Sequence, residues 1–342
     1  MTGRLFVFLA GALVASSSLH GQSGPVDTNR CPPGTVSGPL NTPDQARATQ
    51  DACQKAIDLF QYLAPQLGIS LAGGNATLGQ GSTLGGLGHF SIGLRVNVVQ
   101  GSLPEMVTPS VSGAQSTAYE TNDQIIGLPT ADLAIGLFKG IPLALTNVGG
   151  VDLLVSASYL PEFDGEGVSV RVPSGSLKLG YGARVGLLQE SLIVPGISAT
   201  YLRRELPTTT VTATSGPDAL TISDLSLKTD SWRVVASKSL LFLGVAVGGG
   251  QDKYKSSTDI SAHVAARTVP PSPEANMGPV ALSQTLTRTN VFGNLSMNLL
   301  LLKLTAEIGQ VSGGEIVTHN TFNGKQADDS RIYGSIGARF GF

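Results

Sequence analysis

An all-β fold, an antiparallel transmembrane β-barrel of about ten strands (range about 8–14) with one helix ahead of it, is what this sequence predicts. Three observations carry that reading. The 342 residues are 41% hydrophobic and only 13% charged, with 43 glycines and a mean hydropathy of +0.17. Yet beyond the first twenty-odd residues no apolar run is long enough for a spanning helix: LLFLGVAV (240–247) and LLLLKL (299–304) are strand-sized. From residue 86 onward the chain alternates with a period of two, and its more apolar face cannot be the one that meets water.

The chain opens with Arg4, then LFVFLAGALV, then the small polar run ASSSLHGQ. A charged start, about ten apolar residues and a small-residue exit make the layout of a secretory signal peptide, too short for an anchor that needs about twenty. Cleavage is expected between Ala15 and Gln22, so residues 1–22 are assigned to export. Residues 23–42, rich in Pro, Gly and Ser, read as an exposed tail. A helix is predicted over 43–67, with Thr42 as N-cap, Pro43 in the first turn, an apolar stripe through Ala46, Cys53, Ile57, Phe60 and Leu63 or Ala64, and Pro65 ending it. Asp51, Lys55 and Asp58 give that helix a charged side. LAGGNATLGQGSTLGGLG (71–88) is glycine-rich and irregular, so 23–85 forms a tail, helix and plug-like segment before a barrel of 86–342.

Counted backwards from the end, strands are expected at 329–342, 300–311, 282–298, 241–255, 219–239, 191–206, 174–189, 149–162, 129–138 and 86–100. Turns fall near residues 298–300, Ser239 and Glu190 and across KGIPLALTNVG; long loops take 312–328, 256–281 and 101–128. Leu179, Leu295, Met297, Leu302 and Leu304 fall on the apolar, lipid-facing parity. The opposite parity carries Arg95, Asp132, Asp152, Lys178, Arg184, Lys303, Glu307 and Arg339 in mid-strand. A soluble two-sheet sandwich also alternates. It would have to bury those charges in a dry core at several kcal/mol each, whereas a hydrated or ion-paired lumen holds them.

Cys31 and Cys53 both precede the barrel, and an even pair in an oxidising compartment points to a disulfide. Closing a loop of about twenty residues, it would contribute about 3 kcal/mol in the chain-entropy model. The four histidines are isolated and no CxxC occurs, so no metal site is expected. His263 has Asp259 and Ser261 nearby, and His319 has Glu315 and Thr318, but loops are rich in such residues and no strand-borne partner set accompanies them. No catalytic residue and no cofactor are therefore expected. A formal charge of −2 gives no reason to invoke nucleic acid.

The final stretch, RIYGSIGARFGF, alternates up to a terminal phenylalanine, with Phe340 and Phe342 on the apolar parity. It resembles the C-terminal assembly signal of bacterial outer-membrane β-barrels. The resemblance implies a Gram-negative outer-membrane location, contacts with outer-membrane lipid and the barrel-assembly machinery, short turns in the periplasm and long loops outside. A helix and glycine-rich segment before such a barrel is similar in layout to the long-chain fatty-acid transporter family. There the pre-barrel segment plugs the lumen and a hydrophobic cargo passes. The Asn-Pro-Ala motif of that family is absent, Gly74-Asn75-Ala76 being the nearest string, and ten strands are fewer than that family's fourteen.

Two functions follow as expectations: a narrow or plugged conduit for a small molecule, a hydrophobic ligand if the transporter-like layout holds, or a non-transporting barrel that anchors surface loops or docks a periplasmic partner through its helix. A barrel-embedded hydrolase ranks last. Deleting Phe342 is expected to impair insertion into the outer membrane while leaving export intact. Normal levels of heat-modifiable barrel in fractionated membranes of the deletion strain would count against the assembly signal.

Overall fold

The computed structural model describes residues 24–32, 43–105, 109–110, 112–165, 167–268, 271–272 and 274–341; the assigned signal peptide, Thr42 and Phe342 lie outside them. Ten strands close into one antiparallel barrel: β1 (Phe90–Pro104), β2 (Thr121–Phe138), β3 (Gly150–Tyr159), β4 (Leu177–Leu188), β5 (Gly196–Glu205), β6 (Asp218–Leu240), β7 (Leu243–Val264), β8 (Ala275–Leu299), β9 (Leu302–Ser312) and β10 (Arg331–Gly341). Each strand pairs with its chain neighbours, and β10 returns to β1 in a register running from Ser91↔Gly341 to Val99↔Tyr333, so the sheet has no free edge along this seam.

One end of the barrel has short connections. β6–β7 and β8–β9 turn within two residues, Leu241 and Leu300 taking the left-handed conformation that such hairpins require. The other end has long connections, and here the sequence-based boundaries need correction. The loop expected at 101–128 shrinks to 105–120, and most of 256–281 is strand, because period-two alternation continues there with a polar outward face. β6, β7 and β8 run for 23, 22 and 25 residues, against about 9–11 needed to cross a bilayer. Their upper halves stand above the barrel as a wall. It is widened by Thr209–Ser215 pairing with β6, then Val168–Arg171 and Phe163–Gly165.

The outward face is zoned. Val245, Val247, Val291, Leu295, Met297, Leu304, Ile308 and Ile336 are exposed around the lower barrel. Above them the same parity becomes Gln251, Lys253, Lys255 and Ser257 on β7, and Ser283, Thr285, Thr287 and Thr289 on β8. Exposed aromatics mark both limits: Tyr159, Tyr181, Tyr201 and Trp232 toward the loops, and Phe90, Phe138, Phe242 and Phe340 toward the turns. Ten residues separate Trp232 from Phe242. At about 3.3 Å per residue and a tilt near 40° they span about 25 Å along the barrel axis.

Much of the inward face is small and polar. Ser91, Thr130, Ser156, Ser198, Thr200, Thr229, Ser231 and Ser335 are buried on it. An eight-stranded barrel is filled by side chains alone, so ten strands with a wall of small residues leave space for a helix. Helix α1 (Pro43–Ala72) occupies it. The helix passes straight through Pro65, where a stop at residue 67 is expected; its surroundings are protein on all sides, and that packing outweighs the lost hydrogen bond of the proline. For the same reason Asp51, Lys55 and Asp58, expected on a polar helix face, are buried.

The chain enters from the loop end. The first half of α1 packs through Ile57 and Phe60 on Ile260, Met277 and Leu282 in the upper parts of β7 and β8. The segment after α1 descends through the lumen to β1 at the turn end. Gly24–Pro32 is not the loose tail expected: Gly24 donates its N–H to Thr318 O (2.9 Å), Asp27 N–H to Gln54 Oε1 (2.7 Å), and Cys31 is bonded to Cys53. An epitope inserted at Asn29 should therefore be accessible from the same side of a membrane as one at Glu315, and from the opposite side to one at Leu241. Antibody labelling of intact and permeabilised cells reads this directly, and labelling of Asn29 together with Leu241 would reverse the threading.

Candidate functional site

A helix ending inside a barrel leaves its last carbonyls without intrahelical partners, and α1 has no basic residue in its own last turn. The wall supplies three. Arg204 donates from Nη1 to the carbonyls of Leu71 (3.3 Å), Ala72 (2.8 Å) and Gly73 (3.2 Å), and from Nη2 to Gly74 O (3.0 Å). Arg233 Nη2 reaches Ala72 O (2.7 Å) and Arg95 Nη1 reaches Gly73 O (2.5 Å). Arg95 is ion-paired with Asp132 across the β1–β2 register, and Arg233 with Asp252 (3.4 Å) across β6–β7. Three guanidiniums thus face two carboxylates and the helix C-terminus, which contributes about half a negative charge. Gly74 has φ +67°, and a Cβ there would lie 2.6 Å from Arg95 Nη1. Glycine is required at this position both for the left-handed cap and for the approach of the cluster.

Below the cluster, a second set of charges grips the glycine-rich segment. Arg184 pairs with Asp152 through Nη2 (2.6 Å) and Nε (2.8 Å), and also donates to Thr77 Oγ1. Asp152 in turn accepts the N–H of Leu84 (3.1 Å). Lys303 donates to Gly79 O (2.8 Å) and Arg339 to Gln80 Oε1 (2.6 Å). Glu307 is buried beside the arginine cluster, within electrostatic reach of Arg233 and Arg95. Lys178 differs from the rest: it stands half-exposed at the loop-side rim, 4.0 Å from Glu205.

Above the cluster, the loops close over the helix. Asp58 accepts from Asn320 Nδ2 (2.6 Å), Asn320 N (2.8 Å), Gln54 Nε2 (3.0 Å) and His319 N (3.3 Å). Burial pushes its carboxyl above the usual range, and these bonds oppose that shift. Lys55 pairs with Asp51 (2.7 Å), and Phe322 stacks between Tyr62 (4.0 Å) and Tyr119 (5.3 Å). Near the rim, its bond to Lys325 holds the Asp123 carboxyl below the usual range. The ring nitrogens of His319 face the carbonyls of Gly24 (2.8 Å) and Ala114 (3.0 Å), so this histidine ties the amino-terminal arm to a loop. His263 is exposed against Asn276 (2.6 Å).

Arg204, Arg233 and Asp252 are central here but absent from the charges singled out in the sequence. Arg233 was legible: Ser231, Arg233, Val235 and Ser237 share one parity, opposite Trp232 and Val234. Arg203 and Arg204 are adjacent, so only the strand's phase tells that the second is inside. A concavity of about 820 Å³ lies on the outward face among Leu94, Val96, Leu295, Met297, Leu304 and Ile336.

No family model and no curated protein matches the chain. Among solved structures, the translocator domain of autotransporter NalP from Neisseria meningitidis is 10% identical, covering 75% of this chain and 88% of that one, with a TM-score of 0.37. The CymD monoaromatic hydrocarbon channel is 10% identical over 75% and 89%, with a TM-score of 0.31. The Pseudomonas putida toluene transporter TodX is 12% identical over 74% and 88%, also at 0.31.

Replacing Arg204 strips up to four buried carbonyls of a charged donor. Arg204→Leu should lower unfolding stability by about 3 kcal/mol, while Lys178→Leu at the rim should change it by less than about 0.5 kcal/mol. Urea titrations of the refolded barrel in detergent check both. Equal effects would mean that the cluster does not hold the helix.

Proposed function

We propose that this chain is a barrel of the bacterial outer membrane that forms a narrow conduit for a small molecule, closed by its own amino-terminal segment. The membrane reading is supported by the inverted polarity of the wall and by the apolar band of about 25 Å between two aromatic girdles, the height expected of such barrels. The observation that carries the conduit reading is the way the lumen segment is held. Below the loop seal, polar contacts share its grip on the wall: guanidinium to carbonyl, ammonium to carbonyl, carboxylate to N–H, beside smaller apolar contacts of Ile69, Leu71 and Ala76. Around it, the buried hydroxyls of Ser156, Ser198, Thr200, Thr229 and Ser231 have no hydrogen-bond partner among the described residues. The polar contacts and the unpartnered hydroxyls of this wall can exchange with water when the segment shifts. The resemblance in layout to plugged transporters of hydrophobic cargo agrees with this reading.

A second reading rests on the wall formed by β6–β8, which rises far above the band. In it the barrel is a pedestal that presents this wall, and the disulfide and the loop seal keep the lumen shut. The burial of α1 counts against docking of a periplasmic partner by a free helix, the form this alternative takes on sequence grounds.

One covalent lock decides between them. A Cβ on Gly73 would lie 3.4 Å from Asn97 Cβ, close to disulfide geometry. The conduit predicts channel openings in planar bilayers for the wild-type protein, their loss in oxidised Gly73→Cys/Asn97→Cys, and their return on reduction, with reduced wild type as the control. Closed traces under every condition would favour the pedestal.

A further inference from the structure

The turn end of the lumen holds a cavity of about 350 Å³ whose lining includes Gln80, His89, Glu190, Asn298, Lys303 and Arg339. Lys303 and Arg339 are direct partners in the β9–β10 register. Like charges directly opposite on neighbouring strands are destabilising. Three other lumen arginines are set against acids, Arg95 with Asp132, Arg184 with Asp152 and Arg233 with Asp252, while Arg204 is matched to the carbonyls of the helix end. Here, among the described residues, neither cation forms an ion pair of that kind. Both contact only neutral acceptors, Gly79 O and Gln80 Oε1. Arg339 Nε is buried and has no hydrogen-bond partner among the described residues. Glu190, the acid on the lining, is already engaged by Ser239 N–H (2.6 Å) and Ser237 Oγ (3.4 Å).

Two opposed cations facing a cavity, one with an unused donor, are what an oxyanion neutralises: it can accept from the Lys303 ammonium and the Arg339 guanidinium together. We infer that this vestibule is an anion site for a phosphate group. The group could come from a free phosphate or from a lipid headgroup, since the apolar side chains of Phe90, Leu300, Leu301 and Leu302 also line the cavity. The site is independent of whether the lumen conducts.

The test uses the full chain refolded in zwitterionic detergent and inorganic phosphate as probe, read by isothermal titration calorimetry and by the shift in unfolding temperature. Saturable binding is expected in the wild type, with a rise in unfolding temperature. Affinity should fall about tenfold or more in Arg339→Gln and in Lys303→Gln, and remain unchanged in Lys253→Gln on the outer wall. Each single variant loses one bond to the lumen segment but also removes the like-charge pair, so without phosphate its unfolding temperature should fall far less than that of Arg204→Leu, which separates lost binding from lost folding. Competition by dihexanoyl phosphatidylglycerol at tenfold lower concentration assigns the occupant to a headgroup; competition no stronger than phosphate itself assigns it to a free anion. Absence of saturable phosphate binding in the wild type, or equal binding in the glutamine variants, overturns the inference.

Discussion

The carboxyl end of one helix, stranded inside a barrel, is the constraint on which the rest of this structure turns. Four successive carbonyls from Leu71 to Gly74 point at a wall that must answer them with donors. Buried carbonyls left unanswered would cost more than any single packing contact in the lumen supplies. Arginine suits this position because its guanidinium fans several donors across a helix terminus and its charge complements the dipole. The carboxylates of Asp132 and Asp252 then follow as the partners that make buried guanidiniums tolerable.

From that requirement the wall's composition follows. A helix needs space, so many inward positions are serine, threonine or glycine, and the large inward side chains that remain, Tyr254 and Leu227 among them, pack directly on the helix. Gly68 illustrates how close the approach is: a Cβ there would lie 2.8 Å from the ring of Tyr254. Outside, the polarity is inverted, and it reverts to a water-facing pattern only where β7 and β8 rise above the band. One strand can therefore obey two solvents along its length, with the inward parity unchanged and the outward parity switching near Trp232 and Val291.

The amino-terminal arm and the loops act as a second fixing point. Cys31–Cys53, the bond from Asp27 N–H to Gln54, and the four hydrogen bonds of Asp58 join arm, helix and the loop between β9 and β10 into one cap. The helix is thus tied covalently at its top, and its carboxyl end is held by the arginines beside the apolar contacts of Ile69 and Leu71. These grips respond to different agents: the first to reductant, the second to ionic substitution at the arginines.

Strand number, the phase of six strands (β1, β3, β4 and β8 to β10) and the inverted faces were legible in the sequence, because period-two alternation is a local property that survives any tertiary arrangement. The cysteine pair was legible for a similar reason, being an even count in a chain whose first residues read as an export signal. Tertiary structure alone decided where strands end and where the helix goes. Pro65 and the buried Asp51, Lys55 and Asp58 all argue locally for a shorter, half-exposed helix. They are overruled because the barrel surrounds the helix with partners that its own sequence cannot reveal. Arg204 marks the limit most sharply: next to Arg203 in the chain, it is distinguished by facing the lumen, where the last carbonyls of a helix 130 residues earlier await a donor.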